Sequence, residues 1–171
     1  MASLVEELIS VLQEENKEYL DLIILSGEKT NVIVKGDVEY LSKITEAEQS
    51  FISRITKLER KREEIVTDIG TVLCKDPKTL TVKVIIGLLK GQKKEQEQLS
   101  LIYDEISATV KKMVAINDFN KSLINQSLEL IEFDLNLLQG SMQEPETANY
   151  GRDAYNTSYT STGSGAFDAK Q

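Results

Sequence analysis

The side chains of this sequence that could do chemistry are mainly carboxylates. They occur as adjacent pairs at Glu6-Glu7, Glu14-Glu15 and Glu63-Glu64. Carboxylates can hold a divalent cation, but such an ion needs several oxygen ligands that converge on one point. Nothing in the sequence brings three or four of these oxygens together. We therefore interpret the pairs as solvated faces of helices.

The only thiol belongs to Cys74, and the chain contains no histidine. Zinc sites built from Cys and His are therefore excluded, and so are the Cys–His and Ser–His–Asp arrangements of nucleophilic catalysis. Histidine is also the side chain best suited to general acid–base chemistry near neutral pH. The composition predicts a protein that is not an enzyme and that uses no cofactor or metal.

The charge of the chain is acidic, with 28 Asp and Glu against 20 Lys and Arg and a net charge of −8. Nucleic acids and anionic membrane surfaces attract clustered basic residues, so we expect neither as a partner. The longest apolar runs, at residues 22–25 and 84–86, are far shorter than the roughly 18 residues of a membrane span. No signal peptide is recognisable at the amino terminus. A cytoplasmic protein is predicted.

Glycine and proline indicate which elements must position these side chains. The windows 37–69 and 92–139 contain neither residue type, which is typical of long helices. We predict three long helices, over residues 3–34, 37–74 and 92–139.

The ends of these helices carry recognisable signals. Ser3 with Glu6 can form a capping box, and Asp37 can cap the second helix. Pro77, near the start of the segment 75–91, cannot continue a helix, and we predict a short connector helix in that segment. Residues 141–171 are rich in Ser, Thr, Asn, Gly and Tyr, which predicts a flexible tail after a bundle formed by residues 1–140.

The second helix carries a seven-residue repeat. Its two seam positions are Leu41, Glu48, Ile55, Arg62 and Ile69, and Ile44, Phe51, Leu58, Ile65 and Val72. This spacing is typical of a left-handed coiled coil. Because an unpaired buried charge is costly, Glu48 and Arg62 can lie in the seam only if each is paired or reaches water.

The third helix has a similar seam and a second apolar stripe beside it, so it must contact two neighbours. We predict an all-α fold: an elongated antiparallel three-helix bundle or coiled coil, with a short connector helix and a flexible C-terminal tail. Past residue 127 the third helix is apolar on nearly every side. These residues are either buried inside the bundle or a dimer, or exposed for a partner.

Three stretches and a tail element resemble the FlgN family of flagellar export chaperones, over roughly residues 4–140 and the tail. The stretches are the leading helix 4–25 with its Glu14–Leu22 segment, the turn and helix start Val34–Leu41, and Asn117–Ile124; the tail element is Tyr150-Gly151. Their order and spacing carry the resemblance, because coiled coils share Leu, Glu and Lys patterns.

This resemblance implies a cytoplasmic chaperone that performs no chemistry. Its clients, the exported proteins that it carries, would be flagellar hook-associated proteins, bound through their C-terminal helical segments. It would keep them soluble and deliver them to the gate and ATPase components of the flagellar type III export apparatus. The alternative is a structural coiled-coil scaffold or adaptor that self-associates without a client. The sequence leaves a homodimer open.

A client helix in an apolar groove would meet residues at helical spacing. The candidate partner-binding residues are Asn120, Ile124, Leu128, Ile131, Phe133, Leu135, Leu138, Tyr150, Gly151 and Tyr155. Three alternatives stay open among them. Asn120 could instead form a polar layer that fixes helix register, Phe133 could be a packed residue, and the tyrosines could be scattered rings in a soluble tail.

Overall fold

The computed structural model describes residues 2–89 and 91–142 of the chain. Within these residues lie four α-helices: α1 Ala2–Lys35, α2 Val38–Leu73, α3 Val82–Leu88 and α4 Lys93–Met142. A short 3-10 turn, Pro77–Thr79, precedes α3. The described residues contain no strand, so the predicted all-α class is confirmed, as is a short helix in the connector. No helix among them offers the apolar length that a bilayer crossing requires.

The chain divides into two compact units, of which the first ends at Ile131 and the second begins at Glu132. The first contains α1, α2, α3 and most of α4. The described part of the second is the carboxy-terminal end of α4. The boundary predicted at residue 140 concerns the segment beyond α4 and stays a prediction.

The turn between α1 and α2 is set by two residues. Gly36 has a φ of +69°, in the left-handed region that favours glycine, and Asp37 follows as the N-cap of α2, as predicted. Its carboxylate accepts a hydrogen bond of 3.0 Å from the backbone N–H of Tyr40. The predicted cap at Ser3 is wrong, because α1 already includes Ala2 and Ser3 therefore lies inside the helix.

Ion pairs show that α1 and α2 run antiparallel, because Lys29 near the end of α1 pairs with the first part of α2, whereas Glu15 and Glu7 pair further along α2. They join Lys29 to Glu48 at 2.7 Å, Glu18 to Arg54 at 2.9 Å, Glu15 to Arg62 at 3.0 Å and Glu7 to Lys61 at 3.6 Å. The condition set for the two seam charges is met, because Glu48 and Arg62 are both paired. Opposite charges at matching levels fix the register of the two helices.

The third long helix, α4, runs in the same direction as α1. Leu99 shares the main hydrophobic cluster with Leu8, near the start of both helices, and Met113 packs with Leu22 further along. The first unit is thus an up-down-up bundle of three long helices, which confirms the antiparallel topology predicted from the sequence.

The main core lies at the end of the bundle where α1 and α4 begin and α2 ends. Its fully buried members include Leu8, Ile69, Ile85 and Leu99, which come from all four helices. The short helix α3 contributes Ile85 and closes this end. Four elements therefore share the core here, whereas only three long helices continue beyond it.

One carboxylate of the adjacent pairs lies inside the bundle, which corrects the prediction that all of them are solvated. The side chain of Glu15 is only 2 % exposed and binds the Arg62 guanidinium. Burial raises the pKa of Glu15, and the nearby Arg62 offsets this effect only in part. The sequence did not reveal this difference within the pair, because adjacent residues of a helix point in different directions. Glu15 faces α2, whereas its neighbour Glu14 faces water.

Replacing Leu8 by Ala tests the main core. The substitution should lower the free energy of unfolding by about 2–5 kcal/mol, because it removes buried methyl groups and leaves a cavity. Urea unfolding followed by circular dichroism measures the change. Leu101→Ala removes the same atoms from an exposed position of α4 and should change stability by less than about 0.5 kcal/mol. Equal effects would contradict the location of the core.

Glu15→Gln tests the buried carboxylate through its pH dependence. A raised pKa means that ionisation of Glu15 destabilises the fold, and this penalty develops as the pH rises above the ordinary carboxyl pKa of 4.5. The variant, which cannot ionise, should be at least as stable as the natural chain at pH 7. Its advantage should shrink as the pH falls toward 4.5.

Urea unfolding at several pH values gives this difference, and Glu14→Gln makes the same charge change at an exposed neighbouring position. If Glu15→Gln were less stable than the natural chain at neutral pH, the pairing with Arg62 would outweigh the effect of burial.

Candidate partner-binding surface

An apolar groove opens beside the turn between α1 and α2, where α4 passes it. We call it the turn groove. Its volume is about 210 Å³, and it is lined by Val32, Ile33, Gly36, Asp37, Val38, Leu41, Ile124, Ser127, Leu128 and Ile131. Gly36 and the Asp37 cap turn the chain sharply here, which leaves the aliphatic side chains of the turn facing α4. The turn groove can accept an aliphatic side chain of a partner.

Three candidate residues of α4 lie together in this groove. Ile124 is half-buried, whereas Leu128 and Ile131 are 58 % and 55 % exposed. Large aliphatic side chains grouped in this way are unusual on the surface of a monomer. These residues are not part of the core of the first unit. Two interpretations therefore compete: the residues are buried against another chain in a dimer, or they form a groove for a client.

The remaining candidates on α4 belong to the second unit. Phe133, Leu135 and Leu138 are all exposed, and so are their neighbours Leu130, in the first unit, and Leu137. Phe133 is 61 % exposed among the described residues, and the choice between its two interpretations stays a prediction. Tyr150, Gly151 and Tyr155 lie outside the described residues and stay predictions.

Asn120 lies inside the first unit, where it bridges α4 and α1. It is 3 % exposed. Its amide nitrogen donates to the carbonyl oxygen of Ser26 at 2.9 Å, and its amide oxygen accepts from the Thr30 hydroxyl at 2.6 Å. With both ends of the amide satisfied, the geometry fits the polar layer, which was one of the two predicted roles. The Asn120 layer fixes the rotation of α4 and thereby the direction in which Ile124 and Leu128 face.

A second and larger opening separates α2 from α4, and we call it the α2–α4 slot. It encloses about 550 Å³. Leu22, Ile55 and Met113 form its apolar part, and the Lys29–Glu48 ion pair lines the end nearer the turn. Sequence reasoning missed the slot, because a heptad shows which face of a helix is apolar but not how far apart two helices stand. The only signal was a polar row of Asn117, Lys121 and Asn125 beside the seam.

The slot also carries hydrogen-bonding and charged side chains. The Tyr19 hydroxyl donates to the Glu59 carboxylate at 3.4 Å. Burial and the adjacent negative charge of Glu59 raise the pKa of Tyr19, so the phenol stays neutral and keeps its proton. Among the described residues, no three Cys, Asp or Glu side chains are grouped as a metal site would need. The arrangement offers apolar contact, hydrogen bonds and opposite charges.

Comparison with known proteins places these features in context. A family model described as "FlgN protein" matches residues 1–158. A relative from Bacillus subtilis (strain 168), named "Uncharacterized protein YvyG", is 26% identical over 117 residues, which cover 68% of this chain and 69% of the relative. No solved structure matches the chain. The family match includes the turn groove, the slot and the whole of α4.

Proposed function

The chain belongs to the FlgN family, and from this membership we propose that it is a cytoplasmic chaperone that carries hook-associated proteins to the flagellar export apparatus. The membership itself supports the coarser role, a non-enzymatic chaperone in flagellar biogenesis. The finer proposal is that the clients are hook-associated proteins held by their C-terminal helical segments. The chaperone keeps these segments soluble and delivers them to the gate and ATPase components of the type III export machinery.

The observation that carries the proposal is the group of exposed aliphatic side chains on α4. Leu128 and Ile131 line the turn groove and are more than half exposed, although burying one such side chain would stabilise a complex by about 1.5–3 kcal/mol. An amphipathic client helix covers these side chains with its own apolar stripe, in the helix-in-groove mode of recognition. In return, the client's apolar face is removed from water and cannot aggregate.

Delivery requires that the client be released, which limits how tightly it can be held. A short row of aliphatic contacts on an open groove gives only moderate affinity, because part of the binding energy is lost in immobilising both partners. Moderate affinity allows the client to be released. Tyr150, Gly151 and Tyr155 supply a second contact in this proposal, with either the client or the export gate. A segment that orders on binding loses entropy and so binds reversibly.

The client proposal is tested by substituting three exposed residues of α4, namely Leu128, Ile131 and Leu135, by Ser. This triple variant should lose client binding, because each Ser removes apolar area that the client helix would cover. Since all three side chains are more than half exposed, helicity should be retained. The measurement is co-purification of the tagged chain with hook-associated proteins from its own cells, at moderate salt, with the bound species identified by mass.

The matched control replaces Leu101 and Val114, which are also exposed on α4, by Ser. This control should leave client binding unchanged. Recovery of the chain only with itself, as a defined oligomer, would favour the structural scaffold and assign the exposed side chains to a dimer. Unfolding of the triple variant would show that these residues belong to a core.

A further inference from the structure

The first unit lacks a fourth helix over part of its length. At one end, α3 packs with the three long helices and fills the main core. Beyond that end no such element is present among the described residues. The backbones of α1 and α2 approach closely, whereas the backbone of α4 approaches neither of them as closely. The α2–α4 slot is the opening that results, and the buried side chain of Leu22 of α1 is among the residues that line it.

The slot and the turn groove lie on one face of α4. Met113, Asn117, Asn120 and Ile124 line the slot, and Ile124, Ser127 and Ile131 line the turn groove. Because these positions alternate between spacings of three and four, they form one stripe along the helix. The two openings meet at Ile124. Together they extend over residues 113–131 of α4, about 27 Å or five turns of helix at 1.5 Å per residue.

The lining changes in character along this path. In the first part the apolar lining is the buried cluster of Leu22, Ile55 and Met113. In the last part it consists of the buried Val32, the half-buried Leu41 and the exposed Leu128. Between them lie the Lys29–Glu48 ion pair and Asn117. A helix that follows the path would need aliphatic side chains at both ends and a hydrogen-bonding side chain near its middle, because an unsatisfied polar group covered by an aliphatic one is costly.

The two rims of the slot carry opposite charges. Lys121 stands on the α4 rim and has no ion-pair partner in the part of the chain that the structure describes. Glu48 and Glu59 stand on the α2 rim, where Glu48 is paired with Lys29 and Glu59 accepts a hydrogen bond from the Tyr19 hydroxyl. An occupant is therefore favoured if its edge toward α4 is acidic and its edge toward α2 is basic.

We propose that the α2–α4 slot, continuous with the turn groove, receives one amphipathic helix of the client, which completes a four-helix arrangement there. The inference rests on the proposed chaperone function and adds the place and the chemistry of recognition. The client helix is about five turns long, has an aliphatic stripe interrupted once by a hydrogen-bonding residue, and carries acidic and basic side chains on opposite edges. The client helix packs against this part of the bundle as α3 packs against the other end.

Charge reversal on one rim tests the pairing. Lys121→Glu should weaken binding of a hook-associated protein's C-terminal segment by about three- to tenfold at low salt, and less at high salt, because an exposed pair is screened. Lys112→Glu is the matched control: it lies nine positions earlier on α4, about half a turn away around the helix, and should leave binding unchanged. Titration calorimetry with the full chain measures both, and equal effects would overturn the inference.

Labelling gives a second readout that does not depend on affinity. In a chain carrying Cys74→Ser, an environment-sensitive dye is attached at Lys121→Cys, at Lys112→Cys or at Leu130→Cys. Addition of the client segment should shift the emission at position 121 and leave that at position 112 unchanged. A shift at position 130 without one at 121 would overturn the slot and leave the chaperone function standing.

Two further outcomes separate the proposals. Failure of the unmodified chain to bind any hook-associated segment overturns the chaperone function and the slot together. A shift at position 121 that appears on raising the concentration of the chain alone assigns the slot to a second copy, which overturns the client as its occupant.

Discussion

The pairing of α1 with α2 is the interaction on which the rest of the bundle depends. These two helices approach most closely, and four ion pairs between them hold them in register. Two of these pairs, Glu18–Arg54 and Glu7–Lys61, are exposed enough that each contributes little stability. Their value is in specifying the register, because a slip of either helix would bring charges opposite aliphatic side chains. With α1 and α2 fixed, α4 needs only one further rotational constraint, which the Asn120 layer supplies.

The periodicity of the sequence was sufficient to predict the class and the topology, because long windows without Gly or Pro leave few alternatives to helices. It also set the condition for Glu48 and Arg62, since a charge in a seam must find a partner. It was wrong about Ser3 and Glu15. Ser3 was wrong because the helix starts a residue or two earlier than predicted, and Glu15 because the direction in which one residue of a pair points was not recognised. The spacing of apolar residues does not resolve either detail.

The candidate site was only partly predictable. The crowded end of α4 could be recognised as unusual, but whether Leu128 faces a neighbour or water depends on where α1 and α2 turn. The slot depends on the distance between α2 and α4, which is a property of three helices together. The two roles considered for Asn120 could be distinguished only when Ser26 and Thr30 came within hydrogen-bonding distance. The pattern of a single helix does not show which residues of other helices lie close to it.

The fold and the proposed partner surface use different residues of the same helix. Leu99 and Met113 of α4 are buried and hold the fold, whereas Leu128 and Ile131 are exposed. Substitutions at exposed positions usually change stability by less than about 0.5 kcal/mol. Under the proposed function, natural selection on the exposed part of α4 acts through its partners and hardly through folding. Such a protein can evolve in step with a changing cargo and keep its bundle, so lineages can diverge in what they carry before they diverge in architecture.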